Sequence, residues 1–595
     1  MQSKEAIARV EVIDVSDIVL LYAQISEMEI QKTIDSVIKP HGNWAGISIG
    51  YIFNIWLCYL LSEADHRLSF VEPWVSKHLS LLSGLIEQDN LRSKDFTDDK
   101  LEKVLDYISE AENWREINSQ VSRSGLEVYD IEKTKCIRLD AAPEQGYHSV
   151  KNSKLFEYGY SKHHNPKLGM MKIMLACVDN EINGFGYPLA HLTVPGDQAD
   201  DGLYIPIIKE CESVLSGYGL NKGKLYLGDS KMGSKENRHY IWDNGNHYLS
   251  PLSKIQLPEK ERVMMIKEQD EKKYKKVYKQ DKQGKRQLIA QGFEQSVEVN
   301  YQDKEGKKSN WLERRIYVKS SAYAASQEKA LDKKIETTTT AIKALLVRKQ
   351  GKKSPKNRAD LQNAIDEILK ASGVVGLLEV EIEEELHKKK VKPYGGRTGR
   401  VDKWSTFQIH FTKDEQSIKE KKRGMGWQVY ATTISKKKLD FEKIVWKYRA
   451  QNRIESRFND LRNKVVPLLP LFLKKDNRIE GLVNVLMLCL KVCSVMEFKI
   501  AKNLKEEKAK LDNIFEGNPK RSTSTPTAKR VLKQFKGISI VIINQSKEQS
   551  PIITMTDLNP NMLKIIRLLG FKSDIYTKLP EKIQMFFSRK KINET

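Results

Sequence analysis

YRAQNRIESRFNDLR (residues 448–462) is the stretch on which the prediction of the fold depends. Apolar residues in and just before it recur every three or four positions, which predicts one amphipathic helix with a single buried stripe. They are Val445, Trp446, Ala450, Ile454, Phe458 and Leu461. Glu455 lies at the margin of that stripe, and Tyr448 and Arg462 lie about two turns away on either side.

A carboxylate at the edge of a buried face, with an aromatic ring and several arginines nearby, suits a divalent cation beside a phosphate backbone. An ordinary amphipathic helix with solvated charges would show the same periodicity. The stretch alone leaves both interpretations open, so the rest of the chain has to decide between them.

Length and charge narrow the class of protein. The chain has 595 residues, of which 40% are hydrophobic, enough for about two to four domains with cores of their own. Its 101 Lys and Arg exceed its 78 Asp and Glu, leaving a formal net charge of +23. Such an excess favours a polyanionic partner, nucleic acid first and an anionic membrane surface second. Charge does not separate a DNA enzyme from a DNA-coating protein.

Cysteine usage and the apolar runs indicate an intracellular protein. The start of the chain carries no basic-then-apolar signal segment, and no run reaches the roughly 18 apolar residues of a membrane span. The longest apolar stretch, 481–490, contains Asn484 and is predicted to be a buried helix. The six cysteines include no C-x-x-C pair, which indicates a reducing compartment and no zinc site.

The pattern along the chain predicts an α/β protein with an insertion. Residues 1–128 are predicted to form a helical N-terminal domain, a candidate for DNA binding. Residues 129–255 alternate strands and helices, as in an open α/β sheet, and residues 435–510 return to this core. Residues 256–434 are predicted to be an insertion with a lysine-rich segment, a helical hairpin and strands. Residues 511–595 form a C-terminal region.

Two of the predicted strands end in an aspartate. Residues 135–140 end in Asp140, and residues 224–229 end in Asp229. Ligands gather at the carboxyl ends of strands in open α/β sheets. Asp140 and Asp229 would repel a third carboxylate, Glu455, unless cations lay between them. Magnesium prefers oxygen ligands, and two such ions about 3.5–4 Å apart serve phosphodiester chemistry.

The motifs resemble those of a known family. Tyr448-x2-Gln451-x3-Glu455-x6-Arg462 resembles the Y-x2-R-x3-E-x6-K signature of DDE transposases of the insertion-sequence-four superfamily, with Gln in place of the usual Arg and Arg in place of Lys. Four other blocks resemble elements of the same family in the same order; they lie at 139–140, 158–168, 225–230 and 526–532. The likeness covers about 130–505.

The resemblance implies both a fold and an activity. It implies a ribonuclease-H-like core in which Asp140, Asp229 and Glu455 are the catalytic residues and hold two Mg²⁺ or Mn²⁺ ions. It implies cut-and-paste transposition of an insertion sequence, by strand cleavage and transfer at terminal inverted repeats. Tyr448, Arg453 and Arg462 would contact DNA, and a homodimer would hold two DNA ends. A cytoplasmic, prokaryotic protein without a nucleotide cofactor or membrane is expected.

Other classes fit the sequence less well. A tyrosine recombinase needs an H-x-x-R motif, and none of the eleven histidines has Arg three residues on. A P-loop ATPase needs G-x4-G-K-[S/T], which Gly223-Lys224 does not complete. Two alternatives stay open: a transposase-derived DNA-binding protein that no longer cuts, and a ribonuclease-H-like nuclease.

Overall fold

The computed structural model describes residues 9–593, except 130–135, 160–164, 221, 282, 348–354, 356, 394, 397 and 545–550. The chain divides into two compact units. The first comprises Met1–Ser250, Asp303–Glu305 and Lys447–Thr595, and the second Pro251–Gln302 and Gly306–Trp446. The second unit corresponds to the predicted insertion with wider bounds. Residues 1–128, predicted as a separate domain, belong to the same unit as the sheet that carries Asp140.

The strands and helices are numbered in chain order. The strands are β1 (Arg9–Asp14), β2 (Cys136–Gly146), β3 (Gly169–Val178), β4 (Tyr187–Pro195), β5 (Leu225–Leu227), β6 (His247–Pro251), β7 (Lys275–Gln280), β8 (Arg286–Gln302), β9 (Lys308–Ser320), β10 (Leu378–Val391), β11 (Arg400–Lys413), β12 (Trp427–Thr432), β13 (Ser539–Asn544) and β14 (Ile552–Met555). The helices are α1 (Ile18–Glu27), α2 (Ile30–Val37), α3 (Ile49–Glu63), α4 (Val71–Lys77), α5 (Leu79–Ile86), α6 (Asp98–Ser109), α7 (Ala111–Tyr129), α8 (Tyr204–Ser216), α9 (Lys235–Asp243), α10 (Glu259–Lys267), α11 (Ser321–Lys343), α12 (Arg358–Ser372), α13 (Glu415–Arg423), α14 (Phe441–Arg449), α15 (Asn452–Asn459), α16 (Asp476–Glu506), α17 (Ala528–Lys533), α18 (Pro560–Leu568), α19 (Asp574–Thr577) and α20 (Leu579–Asn593).

The first unit contains a mixed sheet with the strand order β4-β3-β2-β5-β6. Strand β3 runs antiparallel to β2 and β4, whereas β5 runs parallel to β2 and to β6. Helices α7, α8 and α16 pack against β4. This α/β arrangement is compatible with the ribonuclease-H-like core that the sequence analysis predicts.

Strand β2 is longer than the sequence suggested. The prediction that the strand ends at Asp140 is wrong, because β2 continues to Gly146. The reason is its partner: β3 pairs with β2 along its length, from Ile137 opposite Val178 to Gly146 opposite Gly169. Asp140 is therefore internal to the β2–β3 hairpin, and only the parallel pairing with β5 stops before it.

The predicted single helix across residues 448–462 is two helices and a π-helical turn. Helix α14 ends at Arg449, α15 begins at Asn452, and Asp460–Lys464 is π-helical. A continuous helix would pair the carbonyl oxygen of Lys447 with the N–H of Gln451, but this oxygen accepts a hydrogen bond from Arg138 Nη2 at 2.7 Å. The predicted stripe is buried at Val445, Ile454, Phe458 and Leu461, whereas Trp446 is 38% exposed.

Helix α16 forms the centre of the first unit. It packs against α6, α7, β4 and α18, so the N-terminal helices share its core. Among the described residues, α16 is the one helix long and apolar enough to cross a membrane, and 94% of its apolar window is buried in the protein, as in a core helix. Strand β1 pairs with β13, which joins the two ends of the chain in one sheet.

The second unit contains four strands of a mixed sheet. Its strands lie in the order β12-β9-β8-β7, and neighbouring strands are antiparallel. The lysine-rich segment, about residues 255–310, forms α10, β7 and β8. The predicted helical hairpin is present as α11 and α12, which pack against each other.

Candidate active site

Asp140 lies within β2, whereas Asp229 follows the end of the neighbouring strand β5 by two residues, so β5 stops short of the predicted end of its strand. The register of β2 and β5 pairs Cys136 with Leu225 and Arg138 with Leu227. Asp140 and Asp229 each follow the last of these pairs by two residues, so both lie near the same end of the paired segment. Neighbouring strands are about 4.8 Å apart. Both aspartates are half-buried.

Two tyrosines lie close enough to these aspartates to sense their charge. Burial raises the pKa of Tyr448, and the charges of Asp229 and Asp140 raise it further. The pKa of Tyr204 is raised by burial, then by Asp229 and Asp140. Both phenols therefore stay protonated at neutral pH and can donate a hydrogen bond. Tyr448, which was predicted to contact DNA, lies close enough to two of the predicted catalytic carboxylates for their charges to raise its pKa.

Hydrogen bonds fix the Asp229 carboxylate. The Tyr204 hydroxyl donates to Asp229 Oδ1 at 2.7 Å, and the N–H of Lys231 donates to the same oxygen at 2.8 Å. The hydroxyl of Ser250 donates to the backbone carbonyl of Asp229 at 2.7 Å. These contacts hold the turn after β5 and orient the carboxylate, as partners of ligating carboxylates do in metal sites.

Glu455 stands on α15, which packs against β2 and β3. Glu455 is exposed to solvent, while Arg457 two residues later is buried. Arg457 Nε donates to the carbonyl of Gly186 at 2.7 Å, and Arg457 Nη2 donates to Glu497 Oε2 at 2.8 Å. Glu455 therefore projects from a helix that is fastened to the edge of β4 and to α16.

A buried ionic cluster around Asp179 holds the break between α14 and α15. Asp179 directly follows β3 and is 1% exposed. Arg138 Nη2 donates to Asp179 Oδ2 at 3.0 Å, and Arg453 Nη1 donates to Asp179 Oδ1 at 2.6 Å. Lys447 Nζ lies 3.6 Å from Asp179 Oδ2. Burial alone would raise the pKa of Asp179, but Arg138 and Arg453 outweigh it and lower that pKa.

This cluster bears on one predicted DNA contact. Arg453 was assigned to DNA, and the structure commits its guanidinium to Asp179, with 19% of its side chain exposed. The contact favours an anchoring role for Arg453. Gln451, which stands where the family signature has Arg, has a buried side-chain oxygen without a hydrogen-bond partner among the described residues.

Arg462 lies against the far half of β2. Its Nε donates to Glu144 Oε1 at 2.8 Å, and its Nη2 lies 3.3 Å from the carbonyl oxygen of Pro143. Its side chain is 32% exposed, and it lines a cavity of about 840 Å³ together with Phe472 and Lys474. Since Glu144 is four residues beyond Asp140, Arg462 is placed roughly 13 Å along the strand from the aspartate pair.

Comparison with known families identifies the family of the chain. A family model described as "Transposase DDE domain" matches residues 141–490, more than half of the chain. The chain belongs to this family. No curated protein matches the chain. The matched range contains Asp229 and Glu455 and begins one residue after Asp140, so Asp140 lies just outside the match.

The structure of this transposase brings some of the predicted site residues together. Asp140, Asp229 and Tyr448 are neighbours, while Glu455 is on a helix docked to the same sheet. Within the part of the chain that is described, no three Asp, Glu, His or Cys side chains are grouped so as to hold a metal ion. The assignment of all three acids as metal ligands stays a prediction. The block at 158–168 lies partly outside the described residues.

Sequence reasoning missed two residues of this site. Tyr204 is the first residue of α8, and nothing in its local sequence marks it as a partner of Asp229. Asp179 follows an apolar strand, where a turn residue is expected, and its role depends on Arg138 and Arg453 from distant parts of the chain. Only the folded arrangement shows either role.

Proposed function

We propose that this transposase carries out cut-and-paste transposition of an insertion sequence of the insertion-sequence-four superfamily. It cleaves DNA strands at terminal inverted repeats and joins the freed ends to target DNA. The observation that supports the proposal is that Asp140 and Asp229 both follow the paired segment of β2 and β5 by two residues and that the charges of both raise the pKa of Tyr448. The family match gives this pair its context.

The donor set fits Mg²⁺ or Mn²⁺. Two carboxylates on adjacent strands offer the hard oxygen ligands that these ions take, together with phosphate oxygens and water. Asp140 and Asp229 would hold the ions, and Glu455 would add the third carboxylate from α15. When bound, a pair of such ions activates the attacking oxygen and stabilises the leaving one. Tyr204 keeps the Asp229 carboxylate oriented for this task.

Tyr448 and Arg462 would position the DNA strand. The Tyr448 phenol stays protonated, so its O–H can donate to a phosphate oxygen near the aspartates. Arg462 stands where the family signature has Lys, and its planar guanidinium can bind a phosphate in bidentate fashion. Its place along β2 suits a phosphate beyond the scissile one. We further propose that a homodimer holds two element ends, with each subunit acting on one.

The test is cleavage of the DNA that flanks this reading frame. A fragment containing the frame and its flanks is incubated with the full chain and Mg²⁺, and the products are mapped at nucleotide resolution. Cuts at the two borders of an inverted repeat, followed by joining of the 3′ ends to a plasmid, are expected. The Asp229→Asn variant should lose at least about a thousandfold in rate, since metal assistance is worth several kcal/mol.

Asp201→Asn is the matched control, because Asp201 is exposed and lies outside the aspartate pair. It should cut like the wild type. Tight DNA binding without any cut would establish the alternative of a DNA-binding protein that has lost its activity. Cuts without strand joining would establish the nuclease instead.

A further inference from the structure

Strands β10 and β11 form a two-stranded ribbon with an unsupported end. The ribbon pairs antiparallel from Leu378 opposite Lys413 to Val391 opposite Arg400. At its base, Leu378 and Ile382 are buried against α11 and α12. Toward its tip, Leu386 is 69% exposed. A two-stranded hairpin without such packing is only marginally stable in water. The tip half of the ribbon therefore gains little stability from its own strand pairing.

The two halves of the ribbon carry opposite charge. The tip half, residues 386–391 and 400–405, has five basic residues and one acidic residue. The base half, 378–385 and 406–413, has five acidic residues and one basic residue. Charge is therefore sorted along the ribbon, and a polyanion would meet attraction at the tip and repulsion at the base.

Three lysines share one face of the tip. Lys388 lies directly opposite Lys403, and Lys390 is two residues further on the same face, opposite Val401. Like charges directly opposite each other on a sheet are destabilising. None of the three lysines pairs with a carboxylate among the described residues of the chain. An external anion would relieve this repulsion.

We propose that the tip of this ribbon is a DNA-binding arm, in which Lys388, Lys390 and Lys403 contact the phosphates of duplex DNA. The proposal rests on the proposed function, in which the substrate is DNA. A two-stranded ribbon fits the major groove of B-DNA, about 12 Å wide. The acidic base half repels phosphates, so within the ribbon the DNA contacts the tip half. Contacts of this kind hold the duplex without reading its sequence.

The experiment replaces the lysine face and measures binding of the full chain to a duplex of arbitrary sequence. The triple variant Lys388→Gln, Lys390→Gln and Lys403→Gln should bind about tenfold more weakly or worse at 0.1 M salt. The slope of log K against log salt should fall by up to about 2.7, or 0.9 for each lost phosphate contact. Thermal stability should be unchanged or higher, because a like-charge pair is removed.

The control removes the same charge from α11 of the same unit, through Lys329→Gln, Lys333→Gln and Lys334→Gln, all exposed. It should bind within about twofold of the wild type. Equal losses in both triple variants would overturn the proposal, since only net charge would then matter. Weaker self-association of the lysine-face variant with unchanged DNA binding would also overturn it, by making a second copy of the ribbon its partner.

Cleavage separates this proposal from the proposed function. The lysine-face variant should need about tenfold more of the flanking fragment to reach its half-maximal cleavage rate, because the substitutions weaken DNA binding. If the wild-type protein binds DNA through the arm but never cuts it, the proposal for the arm stands and the proposed catalytic function is wrong.

Discussion

The Glu455→Gln variant is expected to lose DNA cleavage by at least about a thousandfold while its affinity for DNA changes by no more than a few-fold. The charge stabilisation that a metal ligand supports is worth several kcal/mol, and each 1.36 kcal/mol is a factor of ten in rate. Binding should persist because Glu455 is exposed and because its substitution by Gln removes a negative charge that would repel phosphates. Cleavage and binding are measured on the same labelled fragment.

Folding should not confuse this result. Glu455 lies on the outer side of α15, and an exposed substitution of this kind usually changes the free energy of unfolding by less than about 0.5 kcal/mol. Glu442→Gln, an exposed acid in the first turn of α14, is the matched control and should cut normally. Cleavage at the wild-type rate by the Glu455→Gln variant would show that Glu455 is not a catalytic residue.

The Asp179→Asn variant should lower the free energy of unfolding by about 3–5 kcal/mol, as expected when one partner of a buried ion pair is removed. Arg138 would keep a buried positive charge without its partner, and Arg453 and Lys447 would lose the same contact. The variant is compared with the wild type by urea unfolding at neutral pH.

The pH dependence of this loss has a definite sign. The pKa of Asp179 is lower in the folded protein than its ordinary value of 3.8. Its contribution to stability is therefore complete above pH 3.8 and is lost as the pH falls through the folded pKa. The difference between Asp179→Asn and wild type should shrink only below about pH 3.8. A constant difference down to lower pH would contradict the ion-pair explanation.

Glu181→Gln is the control for this cluster. Glu181 also pairs with Lys447, at 3.2 Å, but 76% of its side chain is exposed. Exposed pairs contribute about 0–1 kcal/mol. A loss as large as that of Asp179→Asn would show that Lys447, and not the buried Asp179, governs the stability of this region.

Local patterns predicted those parts of the site that depend on local chemistry. Apolar runs predicted the strands before Asp140 and Asp229, and the structure confirms a strand before each. Helical spacing predicted the hairpin of the insertion, and the structure confirms it as α11 and α12, which pack against each other. Such features follow from neighbours in the sequence, so one sequence is enough to find them.

Long-range contacts account for the structural features that local sequence patterns did not predict. Strand β2 continues past Asp140 because β3 pairs with it to the end. The helix of residues 448–462 breaks where the Arg138 side chain binds the carbonyl of Lys447. Strand β8 in the lysine-rich segment is stabilised by apolar contacts with β9: Phe293 of β8 stacks on Tyr317 of β9 with ring centroids 4.5 Å apart. No local window contains these partners.

The most direct test of the active site is a crystal structure of the protein bound to an element end with Mn²⁺, in which anomalous scattering locates the ions. Two Mn²⁺ ions are expected between Asp140 and Asp229, with a carboxylate oxygen of Glu455 within bonding distance of one of them. Mn²⁺ bound elsewhere, or a Glu455 carboxylate that touches neither ion, would contradict this expectation.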